Sequence, residues 1–331
     1  MSTSGSARGA GIGRNSLDRI RSARAGGLVL AYVALLAFVA FFDPKLFDAH
    51  NVRDLLSQNA GLAVVIVGTV FVIIAGHFDL SVGSVAALSG VLFAKLSLEH
   101  SVLTGAVVAL LVALACGIVN GIVVAVLHVN SFMATFATGL IIAGLALGYQ
   151  GPRQIVVQAS DFDVLGLGKW GPLPVPIVVT IVGFLVGAVV LHRSQYGQSV
   201  YAAGSNREAA RLIGVPVTRT VVMTFGLCGL TAGLGGLIIA SQLGLGSADS
   251  GQTLPIEAIA AVVVGGIAVS GGEGQMWQAV LGALILATLS NVFIRLSWST
   301  EQQAVAEGLV ILLALGANRL SRGDVPHPME A

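Results

Sequence analysis

Of the 331 residues, 55% are hydrophobic and only 10% are charged, and the mean hydropathy is +0.90. Soluble domains usually carry about 25% charged residues, so this composition excludes a water-soluble globular protein and fits a chain that crosses the bilayer many times. A net charge of +1 offers nothing to nucleic acid or to another polyanion.

In chain order, residues 1–25 hold Arg8, Arg14, Arg19, Arg21 and Arg24 and read as a disordered basic tail. The apolar stretch 26–42 is longer than the core of a secretory signal and ends at Asp43-Pro44-Lys45 without a small-residue cleavage site. It reads as a retained first span. A helix needs roughly 20 mostly apolar residues to cross the hydrocarbon. By that length, spans fall at 26–42, 58–76, 84–98, 102–128, 132–150, 174–192, 219–241, 255–270, 276–294 and 303–319, ten in all. The third and eighth are short, and the fourth is long enough to tilt or bend. Between the first two, 48–59 reads as a short helix along the outer interface, with Val52, Leu55 and Leu56 on one side.

The expected fold is all-α: a polytopic membrane protein of about ten spans, some short or broken, over 26–319, followed by a tail at 320–331. With the N-terminus inside, the cytoplasmic segments hold the five tail arginines, Arg193, Arg207, Arg211, Arg219, Arg319 and Arg322. The external side keeps Lys45, Arg53, Lys95, Arg153, Lys169 and Arg295. That bias places both termini in the cytoplasm. The connections 43–57, 151–173, 193–218 and 242–254 are too short to bury cores of their own, since independent domains rarely fall below about 40–50 residues. Pro152, Pro172, Pro174 and Pro176 mark 151–173 as irregular.

Several chemistries are missing from the sequence. No GxxxxGK[ST] occurs, so the chain has no P-loop for ATP. There is no HExxH and no Cys/His cluster with metal spacing. Cys116 and Cys228 each sit in an apolar run, away from an oxidising aqueous compartment. Few acids lie within spans, and no nucleophile is paired with a base. The expectation is a protein without catalytic residues, metal or cofactor.

Three stretches carry polar chemistry. In 75–84, AGHFDLSVGS, two apolar runs flank an acid, two hydroxyls and two glycines. An ionised Asp at mid-membrane costs about 2.5–3.5 kcal/mol and needs a partner or water. Asp79 capping the next helix through amides near Ser81 and Val82 would satisfy that demand in a broken helix, and a plain turn at the inner surface would use the same cap. His77 reads as a neighbour within this turn. In 201–216, Ser205 or Asn206 starts a helix of about two turns that Gly214 and Pro216 stop, with Arg207 and Arg211 on one face. So short a helix is marginal alone, which points to a partner or to a simple connecting loop. In 257–275, a Val-rich run breaks at Gly265-Gly266 and Gly271-Gly272, echoing 72–90 in the manner of a duplicated half.

The pairs Gly117/Gly121, Gly144/Gly148, Gly183/Gly187 and Gly229/Gly233 point to close helix packing. Asn120, Phe132, Thr135 and Asn291 lie within or beside spans, open to two readings: interhelical contacts or contacts with a translocated solute.

The segments GHFDLSVGS (76–84), NGIVVAVLHVNSFMATFATG (120–139), YGQSVYAAGSNREAARLIGVPV (196–217) and EAIAAVVVGGIAVSGGEGQ (257–275) resemble, in order and spacing, the ribose-type permease subunits of bacterial ABC sugar importers. Phe78 stands where members of that family usually carry isoleucine before the aspartate. The resemblance implies an inner-membrane permease working as a pair, a homodimer or two close paralogues. Its partners would be cytoplasmic ABC ATPase subunits and an external solute-binding protein. Segment 193–218 would then couple to the ATPase through Asn206, Arg207, Glu208, Arg211 and Gly214. Asp79, Ser81, Ser84, Asn120, Phe132 and Thr135 become candidates for the translocation path. Competing readings are a related permease for a branched-chain amino acid or nucleoside, a stand-alone secondary transporter, for which Asp79 is the one serious ion-coupling acid, and an intramembrane enzyme.

Overall fold

The computed structural model describes residues 26–41, 44–159 and 161–299, and beyond them 301–303, 305–306, 308–310, 312 and 316. The expected tails, 1–25 and 320–331, lie outside the described residues, as does part of the expected last span, 303–319. The residues of that span that are described are helical. The described residues up to Asp48 belong to one compact unit and those from Ala49 to a second. The first holds α1 (Gly26–Phe41) and a 3-10 turn (Pro44–Phe47).

The second unit is almost wholly helical. Its elements are α2 (Ala49–Gln58), α3 (Ala60–Ile74), α4 (Val82–Glu99), α5 (Val102–Ala125) and α6 (Ser131–Gln150), then α7 (Val164–Leu167), α8 (Val175–Arg193), α9 (Gln195–Ser205) and α10 (Arg207–Leu212), and finally α11 (Val217–Leu243), α12 (Leu254–Val264) and α13 (Met276–Arg295). Among the described residues, six helices are long and apolar enough to cross a membrane: α4, α5, α6, α8, α11 and α13. They become seven if α2 and α3 count as one span, bent by 52° at Asn59. The expected surface helix 48–59 is present as α2, set at that angle to the helix that follows it. Asn59 turns its amide back on the Leu55 carbonyl (2.8 Å) at the bend.

Within lipid a helix is the one open structure that satisfies every backbone group, which is why the Val- and Ile-rich α3 is helical despite its β-branched residues. It is the buried axis of the unit, with every residue but Leu62 buried. Long α11 lies against α3, α4 and α5. A Cβ at Gly117 would strike the Phe225 carbonyl, and one at Gly229 the Ala113 carbonyl, so these glycines set how closely α5 and α11 approach.

Two antiparallel pairs of two residues each depart from the all-α expectation. β1 (Ile155–Val156) pairs with β4 (Leu245–Gly246), and β2 (Lys169–Trp170) with β3 (Leu173–Pro174). Pairs this short leave no alternation in the sequence to read.

The expected loop 242–254 is a larger departure. A Cβ on Gly246 would lie 2.7 Å from Ala94 Cβ, whereas one on Gly251 would strike the carbonyl of Gly83. The segment therefore runs back along α4, from near its C-terminal end to its second residue. That point is deep in the bundle, since Ser81, two residues before Gly83, lies against Gly139 near the middle of α6. Helix α12 starts there and has 11 residues. At about 1.5 Å per residue this is roughly half of the ~30 Å hydrocarbon thickness.

Candidate functional site

The break between α3 and α4 is built by its own hydrogen bonds. The C-terminal end of α3 closes through Gly76 N–H to Ile73 O (2.9 Å) and His77 N–H to Val72 O (3.0 Å), with Gly76 at φ 77°. The amides that follow cannot reach a helical carbonyl, and side chains take them instead. Ser131 Oγ accepts from Phe78 N–H (3.2 Å) and Thr135 Oγ1 from Leu80 N–H (2.9 Å). Asp79 Oδ1 accepts from Ser81 N–H (2.9 Å) and from the Ser81 hydroxyl (2.6 Å), and Asn120 Nδ2 donates to Ser81 Oγ (2.7 Å).

Asp79, Ser81, Asn120 and Thr135 are thus gathered into one buried network. Asp79 holds the amide of Ser81, the residue before α4, rather than an amide inside the helix. Ser84 is half-buried near the start of α4 and outside the network, and Phe132 is 54% exposed. Ser131 was not among the expected residues, although its i,i+4 spacing from Thr135 puts both hydroxyls on one face. His77 is buried edge-on to Phe225 (5.7 Å), with Nε2 unpartnered among the described residues.

The second element is the stretch 193–218, which holds two helices rather than one. Ser194 caps α9 through Gly197 N–H (3.0 Å), and Asn206 caps α10 through Ala209 N–H (3.0 Å). Gly214 ends α10 at φ 84°. Arg207, Glu208 and Arg211 are exposed, and partial desolvation, together with neighbouring Arg211, holds the Arg207 guanidinium below its ordinary range. Leu212 and Ile213 at the tip are 88% and 79% exposed. The sequence reading, drawn to the charges, passed over this apolar pair.

Three breaks meet where α9 ends. Gly272 N–H donates to the carbonyl of Ile74, the last residue of α3, at 2.8 Å. A Cβ on Gly204 would strike that same carbonyl, and one on Gly271 would come within 2.7 Å of Gly76 Cα. Tyr201 OH donates to Gly274 O (2.6 Å) and stacks on His192. Thus the helix carrying α10 touches, backbone to backbone, the turns that end α3 and α12. Among the described residues no three His, Cys, Asp or Glu side chains gather as a metal site.

Residues 51–315 match the family described as branched-chain amino acid transport system / permease component. The ribose import permease of Haemophilus influenzae is 35% identical over 294 residues, 87% of this chain and 91% of the relative. The ribose import permease of Escherichia coli K12 gives the same identity and coverage. The L-arabinose transport system permease of Escherichia coli K12 is 34% identical over 316 residues, 95% of both chains. No solved structure matches the chain. A match across most of the chain, joined to a bundle of apolar helices with a buried polar break, shows that the chain belongs to this family of permease components and is a multi-pass membrane protein.

Proposed function

We propose that the chain is the membrane subunit of an ATP-driven importer for a monosaccharide of the ribose or arabinose type. An external binding protein delivers the sugar, and partner subunits hydrolyse ATP. The observation that carries this reading is the junction of Gly76, Gly204 and Gly271, which joins exposed α10 to two broken helices. A capped six-residue helix with an exposed Leu-Ile tip is suited to a protein groove, and its displacement would reach the breaks directly. Asn206, Arg207, Glu208, Arg211 and Gly214 form this coupling element. Asp79, Ser81, Asn120 and Thr135 hold the break beside the path, with Ser84 and Phe132 nearer its edge. The sugar class is drawn from the import functions named for the relatives.

On this reading two permease copies pair in the inner membrane. The chain makes ten spans over 26–319 with cytoplasmic tails at 1–25 and 320–331. The contacts at each end of the bundle support such a layout: Gln242 reaches Ser57 O (2.6 Å) at one end, and Gly76, Gly204 and Gly271 meet at the other.

The test is a mild-detergent pull-down of the tagged chain from native membranes, followed by uptake in proteoliposomes. Recovery of a P-loop ATPase, and uptake of ribose or arabinose that requires ATP, is the expected result. Uptake by the chain alone on an ion gradient would overturn it. The description of the matching family favours a second reading, import of a branched-chain amino acid. The ligand held by the copurified binding protein separates the two.

A further inference from the structure

The segment 247–253 is polar and lies where lipid would not tolerate it. Gly246 and Gly251 fix it along α4, between Ala94 and Gly83. Irregular backbone at such depth persists only when covered by protein or lining water. One side is covered: Ser247 and Ala248 are buried, with Ala248 N–H donating to Gln150 Oε1 (2.6 Å) and Gln154 Nε2 donating to Ser247 Oγ (3.4 Å). The other side presents Asp249, Gln252 and Thr253, all exposed. Gln252 Nε2 donates to Asp249 Oδ1 (2.9 Å), and Ser247 Oγ accepts from Asp249 N–H (3.3 Å). A carboxylate and an amide are therefore held in fixed relation within the bundle's depth, with Asp249 Oδ2, Gln252 Oε1 and the Thr253 hydroxyl left outward. A carboxylate toward lipid is strongly disfavoured, so this face requires water, a polar solute or cover from the second permease copy.

We propose that Asp249, Gln252 and Thr253 form a hydroxyl-recognition site in the translocation path, where a neutral polyhydroxylated solute exchanges its water for the carboxylate and amide. This rests on the importer reading for the identity of the solute, and on the chain's geometry alone for the aqueous face. A carboxylate accepts from hydroxyls, while the Gln amide and the Thr hydroxyl both donate and accept. An array of this kind discriminates sugars by hydroxyl configuration, because a mismatched epimer leaves a polar group unpaired.

The experiment uses the complete transporter in proteoliposomes with ribose and arabinose as probes. Single variants Asp249→Cys and Gln252→Cys are treated with a membrane-impermeant cationic thiol reagent. Leu185→Cys, exposed and apolar in the middle of α8, is the comparison, and the unmodified chain corrects for its two native cysteines. The expected result is labelling at least about tenfold faster at 249 and 252 than at 185, slowed by the transported sugar. The near-isosteric Asp249→Asn and Gln252→Glu should also change the ratio of ribose to arabinose uptake severalfold. Labelling no faster than at 185 would overturn the aqueous placement. Equal loss of uptake for both sugars would overturn the recognition role. If the unmodified transporter moves neither sugar, the importer reading fails, while the labelling rates still decide whether this face meets water.

Discussion

Asn120 on α5 and Ser81 at the foot of α4 are joined side chain to side chain at 2.7 Å, across 39 positions of sequence. Ser81 passes the contact on, its hydroxyl donating to Asp79 Oδ1 at 2.6 Å. All three are buried, so none can exchange its partner for bulk water. The bond therefore fixes the start of α4 against α5 at a place where the backbone ladder is open.

Asn120→Ala removes that donor and leaves the Ser81 hydroxyl with less than its full complement. Loss of one buried partner costs about 1–3 kcal/mol. The detergent-solubilised protein is expected to melt several degrees lower, as read by a thermal-shift assay. An unchanged melting temperature would show that Asp79 and the α6 hydroxyls hold the break without Asn120.

Asp79→Ala strips the acceptor from both the amide and the hydroxyl of Ser81, and is expected to lower the folded yield severalfold. Asp79→Asn keeps one carbonyl acceptor and should retain most of that yield. Fluorescence-detected size exclusion compares the two. Equal yields for the alanine and asparagine variants would mean that the carboxyl does not hold the break.

Gly204→Ala places a methyl group against the Ile74 carbonyl, so α9 must move away from the end of α3. If the junction carries the coupling, sugar uptake falls about tenfold or more per ATP hydrolysed, while the complex still assembles. Uptake and hydrolysis measured on the same proteoliposomes give the ratio. A fall in both by the same factor would point to impaired assembly instead.

At the tip of α10, Leu212→Ala with Ile213→Ala should weaken ATPase retention more than Arg207→Glu with Arg211→Glu. Apolar anchors seated in a pocket dominate such interfaces, each worth about 1–2 kcal/mol or more, whereas rim charges contribute less. The charge reversals should still uncouple hydrolysis from uptake. Copurification yield and uptake per ATP distinguish the two effects.

Much of this was legible in the sequence because lipid leaves few choices. Apolar length located the helices, and the same scarcity of charge made Asp79 and the Arg207–Arg211 helix conspicuous. Asn206 and Gly214 gave the ends of α10 through their capping chemistry. What was not legible depends on contacts between distant segments. Ser131 looks like any helix-start serine until Phe78 is brought to it. The stretch 242–254 has the composition of a surface loop, and only the absence of side chains at Gly83, Gly246 and Gly251 lets it run inside the bundle. Helix α9 was hidden because its mixed sequence carries no strong apolar stripe.

The 11 residues of α12 also bear on how the chain is made. A helix reaching through about half the hydrocarbon has too little apolar length to leave the insertion machinery unaided as the ribosome extends it. It packs against α13, which follows it, and against α3 and α4, which precede it, so neighbouring helices rather than its own length hold it in the bilayer. The membrane placement of 244–275 thus depends on helices drawn from both sides of it in the sequence.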